Sequence, residues 1–233
     1  MHVKSYGSRL KLRKDISSGV SAWLTFEKSA GREGLFSERY LALPISQILA
    51  NHFEGSVEAE CNHPVLSANK KVGRPPQLDF VIRNQKGTSL VVESKWIGAT
   101  TVKVSDVIWD CVRLELATYH FRCDGLFILA GRKGQIDKTL NSKSFNPKTS
   151  RGKPSPVLNL NGHGRFSVNI QSPKKDFGPL LHKTLKMYPN VLFPRSFVCG
   201  TGIQTIKNAG PSDYVAAVWH IKPEYNKRFP FSV

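Results

Sequence analysis

The amino-acid sequence predicts an α/β fold with a mixed central β-sheet and helices on both faces. Three observations predict it. Apolar residues recur at helical spacing in two separate segments, at Leu41, Ile45, Ile48 and Leu49 and again at Ile108, Cys111 and Val112. Between and after them lie short runs of the strand kind, and one of these, DGLFILAG at 124–131, has an unbroken apolar run, as suits a strand buried on both faces. With 40% hydrophobic residues over 233 positions, the chain has enough apolar side chain to bury one sizeable core.

The first helix is expected within 35–53, with Ser37 as its N-cap, Pro44 kinking or restarting it, and Glu38 on the same stripe as Leu41 and Ile45. SVEAEC at 56–61 alternates and reads as a short strand, followed by the turn-rich, basic loop NHPVLSANKKVGRPP. Two strands come next, 78–83 and 88–96, joined by Asn84-Gln85-Lys86-Gly87-Thr88. That linker suits a three-residue hairpin loop ending on a left-handed glycine at Gly87, with Asn84 paired to Thr88. Ser105 is placed to cap a second helix through SDVIWDCVRLELATYHF, whose stripe extends to Glu115 and Tyr119. Residues 1–34 read as a basic N-terminal segment and 35–131 as the core. Residues 132–233 read as a basic, loop-rich and β-containing C-terminal extension packed on that core.

Charge narrows the function classes. The chain carries 34 Lys and Arg against 17 Asp and Glu, a net +17, which calls for a polyanionic partner, nucleic acid first. The alternative is a solvated basic surface. Between Arg132 and Arg195 there are 13 basic residues and only two acids, Asp137 and Asp176. The four cysteines, Cys61, Cys111, Cys123 and Cys199, include no CxxC pair, so neither a zinc knuckle nor a disulfide framework is indicated. No run reaches the ~18 apolar residues of a membrane span and the basic N-terminus lacks the apolar stretch of a secretion signal, so a cytoplasmic protein without membrane contact is expected. The histidines show no metal-ligand spacing, and VCGTGIQ lacks the helix and Lys-Ser/Thr of a phosphate-binding loop.

The chemistry-bearing stretch is QLDFVIRNQKGTSLVVESKW at 77–96. It places Asp79, Glu93 and Lys95 inside two apolar strands, where burying charge is costly unless something compensates it. In the expected register the paired numbers sum to 172, which sets Asp79 opposite Glu93 with Cβ atoms about 4.5 to 5.5 Å apart. Two facing carboxylates repel unless a cation lies between them. Mg²⁺ fits, because it takes carboxylate oxygens, keeps several waters and neutralises charge on a phosphate oxygen. Lys95 lies two residues along the same face, placed to orient water or offset charge in a transition state. The alternative is an exposed strand face bearing ordinary ion pairs.

Asp79, thirteen residues, then Glu93-Ser94-Lys95, with a helix before and a helix and strand after, resembles the PD-(D/E)XK nuclease superfamily over residues 35–131. The resemblance implies a restriction-endonuclease-like core. It implies Mg²⁺, for which Mn²⁺ can substitute, held by Asp79, Glu93 and the backbone carbonyl of Ser94, with Lys95 assisting the attacking water. Glu38 matches the acid that the family often adds from the preceding helix; Glu33 and Glu60 are weaker candidates. The motif's proline is absent before Asp79, where Leu78 stands, and Pro76 is only nearby. The implied function is Mg²⁺-dependent hydrolysis of DNA, as an endonuclease in restriction, phage defence, transposition or repair. Double-strand cutting would need a homodimer or a partner protein. The rival reading is a non-catalytic nucleic-acid-binding subunit of a larger complex on a nuclease-like fold.

Two carboxylates repel the phosphate they must approach, so surrounding positive charge has to hold the DNA. Lys148, Arg151, Lys153, Lys174 and Lys175 are the candidates for one wall of that groove. Reversing the charge of Lys148, Arg151 and Lys153 together is expected to weaken DNA binding and flatten the plot of log K against log[salt] without unfolding the core. Superimposable plots for wild type and variant would remove the segment from the binding surface.

Overall fold

The computed structural model describes residues 6–69, 73–98, 102–146, 152, 156–160, 165–170, 178–223, 225 and 228–230. A seven-stranded sheet in the order β1-β2-β3-β4-β8-β7-β5 organises the molecule. Its strands are β1 (Ser56–Asn62), β2 (Gln77–Asn84), β3 (Gly87–Ile97), β4 (Asp124–Arg132), β5 (Arg165–Asn169), β7 (Ser196–Gly200) and β8 (Tyr214–Pro223). Among the described residues only β3 and β4 run parallel, connected by the helix α3 (Val104–Phe121), so the sheet is mixed as expected. A separate ribbon pairs β6 (Leu192–Pro194) with β9 (Arg228–Pro230).

The period of two along β4 sorts its side chains between the two faces. Phe127 and Leu129 pack towards Ile108, Cys111 and Val112 of α3, whereas Leu126, Ile128 and Ala130 face Ile16, Val20 and Leu24 of α1 (Tyr6–Ser29) and Ile45 and Leu49 of α2 (Ala42–His52). DGLFILAG is therefore covered on both sides, as its unbroken apolar run requires. The short helix α4 (Lys133–Leu140) follows β4 directly, and α5 (Gly178–Lys186) joins the α3 face through Leu181 and Leu185.

Several expectations are corrected. From Tyr6 onward the described part of the N-terminal segment belongs to the core: α1 buries Leu12, Ile16, Val20 and Leu24 against the sheet, at a strict spacing of four. The region after Arg132 is not an extension packed on a finished core either, because β8 lies in mid-sheet beside β4. The helix expected within 35–53 is confined to α2, and two one-turn 3-10 segments, Glu33–Leu35 and Arg39–Leu41, precede it. Ser37 does accept a hydrogen bond from the Tyr40 amide, and Pro44 sits in the first turn of α2, where a missing N–H costs nothing. Lys103, not Ser105, is the N-cap residue of α3; Ser105 is buried within the helix, and Tyr119 is exposed near its end.

The hairpin loop also differs. Asn84 pairs with Gly87 and Arg83 with Thr88, leaving a two-residue turn, Gln85-Lys86, with Gly87 at φ 111°. The register then shifts between Ile82 and Arg83, and Ser89 is the extra residue of a β-bulge. Past the bulge, Ile82↔Leu90, Val81↔Val91 and Phe80↔Val92 keep the expected offset. One bulge residue restores what the shorter turn removes.

β7 pairs with β8 only at Ile221–Pro223, which leaves the backbone of Ala216 without a strand neighbour on that side. Two buried serines of α1 fill the gap: Ser21 Oγ accepts from the Ala216 amide at 2.9 Å, and Ser17 Oγ donates to the Ala216 carbonyl at 2.7 Å. Ser21→Ala leaves a buried N–H without a partner, a loss of about 1–3 kcal/mol. A fall in Tm of roughly 3–10 °C is expected. An unchanged melting curve would show that the serines do not seal this edge.

Candidate functional site

Register, sheet and α3 converge on one cluster. Backbone pairing of β2 with β3 stops at Phe80↔Val92, and beyond it the Asp79 side chain takes the place of a strand neighbour. Asp79 Oδ2 accepts from both the Ser94 amide and the Ser94 hydroxyl, each at 2.7 Å. Glu60, beside Asp79 on β1, has φ 52°, a left-handed kink at the same place. The sheet is pried open where the charged residues lie.

Glu93 and Lys95 point to the α3 face. Glu93 is buried, and its Oε1 lies 2.8 Å from Arg113 Nη2 of α3. Lys95 Nζ lies 2.9 Å from Oδ2 of Asp110, also buried on α3, and 3.3 Å from Oε2 of Glu38. Arg113 further holds Asp110 Oδ1 at 3.2 Å and donates to the Gln77 carbonyl. Behind it, His63 accepts the Val65 and Leu66 amides at Nδ1 and so donates through Nε2 to the Arg113 carbonyl at 2.8 Å. Burial pushes the His63 imidazole down to about 4, which keeps it neutral and its tautomer fixed.

Four carboxylates, Glu38, Asp79, Glu93 and Asp110, thus share one neighbourhood with two cations, Lys95 and Arg113. The ionised cluster carries −2. Its excess shows in proton affinity. Burial pushes the Glu93 carboxyl well above the ordinary carboxylate range, with Asp79 and Asp110 adding to the rise and Arg113 opposing it. Burial likewise raises Asp110 against the pull of Lys95, and raises Glu38, which is still 45% exposed and better screened. Lys95 goes the other way: desolvation works against its charge, but Asp110 and Glu38 win and hold it protonated. The ion pairs are also incomplete. Glu93 Oε1 and Asp110 Oδ2, though within contact distance of their cations, have no aligned hydrogen-bond donor. Buried oxygens in that state are open to a further positive partner.

The structure therefore brings together Asp79, Glu93, Ser94, Lys95 and Glu38, and adds two residues that sequence reasoning missed. Asp110 and Arg113 continue a polar row from Asp106 at i, i+4, i+7 along α3; that row, beside the apolar stripe, was the available signal. Glu38 reaches the cluster from the residue before the second 3-10 turn rather than from a helix stripe. The exposed-face alternative does not hold, because Glu93 and Asp110 are buried. The weaker candidates lie apart: Glu33 pairs with Arg132 at 2.6 Å and Glu60 with Arg74 at 3.0 Å. Lys148, Arg151, Lys153, Lys174 and Lys175 lie outside the described residues.

No protein-family model matches the chain, and no curated protein or solved structure matches it either. Among the described residues, no three His, Cys, Asp or Glu side chains are already arranged around a common metal position, and no helix is long and apolar enough to cross a membrane. Asp79 is turned onto Ser94 and Glu93 onto Arg113, so a cation here would have to be met by two carboxylates and its own waters. That is the usual manner of Mg²⁺.

The raised Glu93 carboxyl links stability to pH. Folded, it binds a proton above the ordinary value of 4.5, so its contribution is full below that value and is lost as pH rises through the folded pKa. In chelator at pH 8, Glu93→Gln removes one of the excess negative charges and is expected to raise stability on the order of 1 kcal/mol, or roughly 2–4 °C in Tm. The gain should shrink as pH falls towards 5. A variant less stable than wild type at both pH values would show that the Arg113 pair, not the charge excess, governs this place.

Proposed function

We propose that the chain is a Mg²⁺-dependent nuclease that hydrolyses phosphodiester bonds in DNA, with a restriction-endonuclease-like core. The observation that carries this reading is the fork between β2 and β3, where Asp79, Glu93 and Lys95 meet Asp110 and Arg113 with a surplus of two negative charges. One divalent cation matches that surplus. The two buried oxygens without aligned donors, Glu93 Oε1 and Asp110 Oδ2, fit the same demand. Asp79, Glu93 and the Ser94 carbonyl would hold the ion. Mg²⁺ there would supply a Lewis acid that neutralises charge developing on a phosphate oxygen and acidifies water.

The chain's own residues divide the remaining work. Lys95, held protonated between Asp110 and Glu38, acts as a fixed cationic donor that orients the attacking water and stabilises negative charge in the transition state. It is not a base, because its neighbours resist losing its proton. Glu38, nearest to solvent, is the acid able to exchange a proton with the medium. Arg113 lies against both Glu93 and Asp110 and opposes the rise in their proton affinity until a cation competes for them, and His63 fixes the backbone beneath it. The net charge of +17 supports a polyanionic substrate. Restriction, phage defence, transposition and repair are the settings in which a DNA endonuclease of this kind would act, cutting both strands as a homodimer or with a partner protein.

A second reading keeps the binding and drops the chemistry: a nucleic-acid-binding subunit in which Arg113 and Lys95 permanently replace the metal. The paired state of Glu93 and Asp110 favours it. Incubation of the purified chain with supercoiled plasmid, linear DNA and RNA, with Mg²⁺, with Mn²⁺ and in chelator, separates the two. Metal-dependent relaxation of the plasmid is expected, lowered about a hundredfold or more by Asp79→Asn, Glu93→Gln or Lys95→Ala. Binding without cleavage under every metal condition would establish the second reading. Cleavage that survives all three substitutions would place the chemistry elsewhere.

A further inference from the structure

The acid cluster leaves one difficulty unsolved: its surplus of two negative charges repels the phosphate that the proposed reaction needs beside it. Two basic residues border it. α3 runs antiparallel to β3, since Asp110 meets Lys95 and Arg113 meets Glu93. Counting back from Asp110 at about 1.5 Å per residue puts Lys103, the N-cap residue of α3, roughly 10 Å further along, whereas β3 ends two residues after Lys95, at Ile97. Lys103 therefore overhangs the end of the strand. The fork opens towards that same end, because the pairing of β2 with β3 stops at Phe80↔Val92. From the layer that holds α1 and α2, Arg39 follows directly on Glu38, whose carboxylate reaches Lys95. The mouth of the fork thus lies between one basic residue from each helical layer.

Other cations of this region are occupied. Arg32 donates to Glu27 at 2.7 Å, Arg132 pairs with Glu33 at 2.6 Å and Arg74 with Glu60 at 3.0 Å. Arg39 and Lys103 differ: both are exposed, and among the described residues neither side chain has an ion pair, a hydrogen bond or a ring contact. Asp106, one turn after Lys103, accepts from Ser105 Oγ at 3.3 Å and makes no ion pair with the lysine. A cation that stands free in water breaks no internal pair on meeting a phosphate, and each such contact releases condensed counterions from DNA. Contacts of this kind fix orientation and register on the duplex rather than read its sequence.

We propose that Arg39 and Lys103 grip the phosphate backbone of double-stranded DNA from the two sides of the fork's mouth and offset the acid cluster's repulsion of it. This role rests on the nuclease reading, but its test needs no cleavage. Fluorescence anisotropy of a labelled DNA duplex with the full chain, in chelator and over a range of salt, gives log K against log[salt]. Arg39→Gln combined with Lys103→Gln is expected to flatten the slope by about 1.8, and each substitution alone by about 0.9. At about 0.1 M salt the double variant should bind about tenfold more weakly or worse. Lys11→Gln combined with Lys86→Gln removes the same charge at the far end of the hairpin, where the start of α1 packs, and should leave the slope as in wild type. All four side chains are exposed, so the variants should melt as wild type does; if Arg39→Gln disturbs its 3-10 turn, Lys103→Gln alone decides. Superimposable plots for wild type and the Arg39/Lys103 variant overturn the proposal, as do equal effects of the two pairs or a wild-type chain that does not bind DNA. Cleavage in Mg²⁺ with binding indifferent to Arg39 and Lys103 would keep the nuclease reading and end this one. Binding that depends on both residues, without cleavage in any metal, would do the reverse.

Discussion

The rest of the structure is arranged around one electrostatic constraint: Glu93 and Asp110 are carboxylates with almost no access to water. An ion of that size loses several kcal/mol of hydration on burial, and only close opposite charge restores it. The sequence supplies that charge from α3, where Arg113 lies one turn after Asp110, and from Lys95, two residues after Glu93 on β3. Two cations do not neutralise four acids. The remainder leaves the cluster with negative charge that no described side chain balances, which is what makes it the candidate site.

That constraint explains local features that otherwise look unrelated. β2 and β3 part company at Asp79 because its carboxylate, not the β2 backbone, receives the Ser94 amide. His63, neutral because it is buried, donates to the backbone carbonyl of Arg113, the cation on which Glu93 depends. The middle of α3 is enclosed, so Asp110 cannot escape to solvent and must be paired where it stands; Glu115 shows the same rule further along the helix, where Arg228 of β9 meets it at 2.8 Å.

Legibility in the sequence followed signal strength. β4 and α3 were readable because an uninterrupted apolar run and a sustained helical stripe have few other solutions. α1 was not. Its buried stripe is one residue wide, and serines and basic residues fill the rest, since Ser17 and Ser21 are used to seal the backbone of β8 rather than to pack. The assignment of β8 and β7 to the central sheet was equally hidden, because β8 joins β4 across more than eighty residues and β7 then joins β8, pairings that local pattern does not encode. At the site, Asp79, Glu93 and Lys95 were legible as charges in apolar strands. Asp110 and Arg113 were not, because a charge on a helix is unremarkable until the helix is known to be enclosed.

The hairpin shows why the site could be located although its turn was misjudged. A three-residue loop and a two-residue turn followed by one bulge residue consume the same number of positions, so both leave Phe80 opposite Val92. Had the turn shortened without the bulge, every later residue of β3 would have moved by one, and Glu93 and Lys95 would have faced α1 and α2 instead of α3. There they would have met Leu12, Ile45 and Leu49 and no cation from α3. Ser89, which bonds back to the Ile82 carbonyl at 3.2 Å, is therefore the residue that sets which face receives the charges. Ser89 also lines a cavity between α1, α2 and the hairpin on the opposite face, so one irregularity in a single hairpin touches both sides of the sheet.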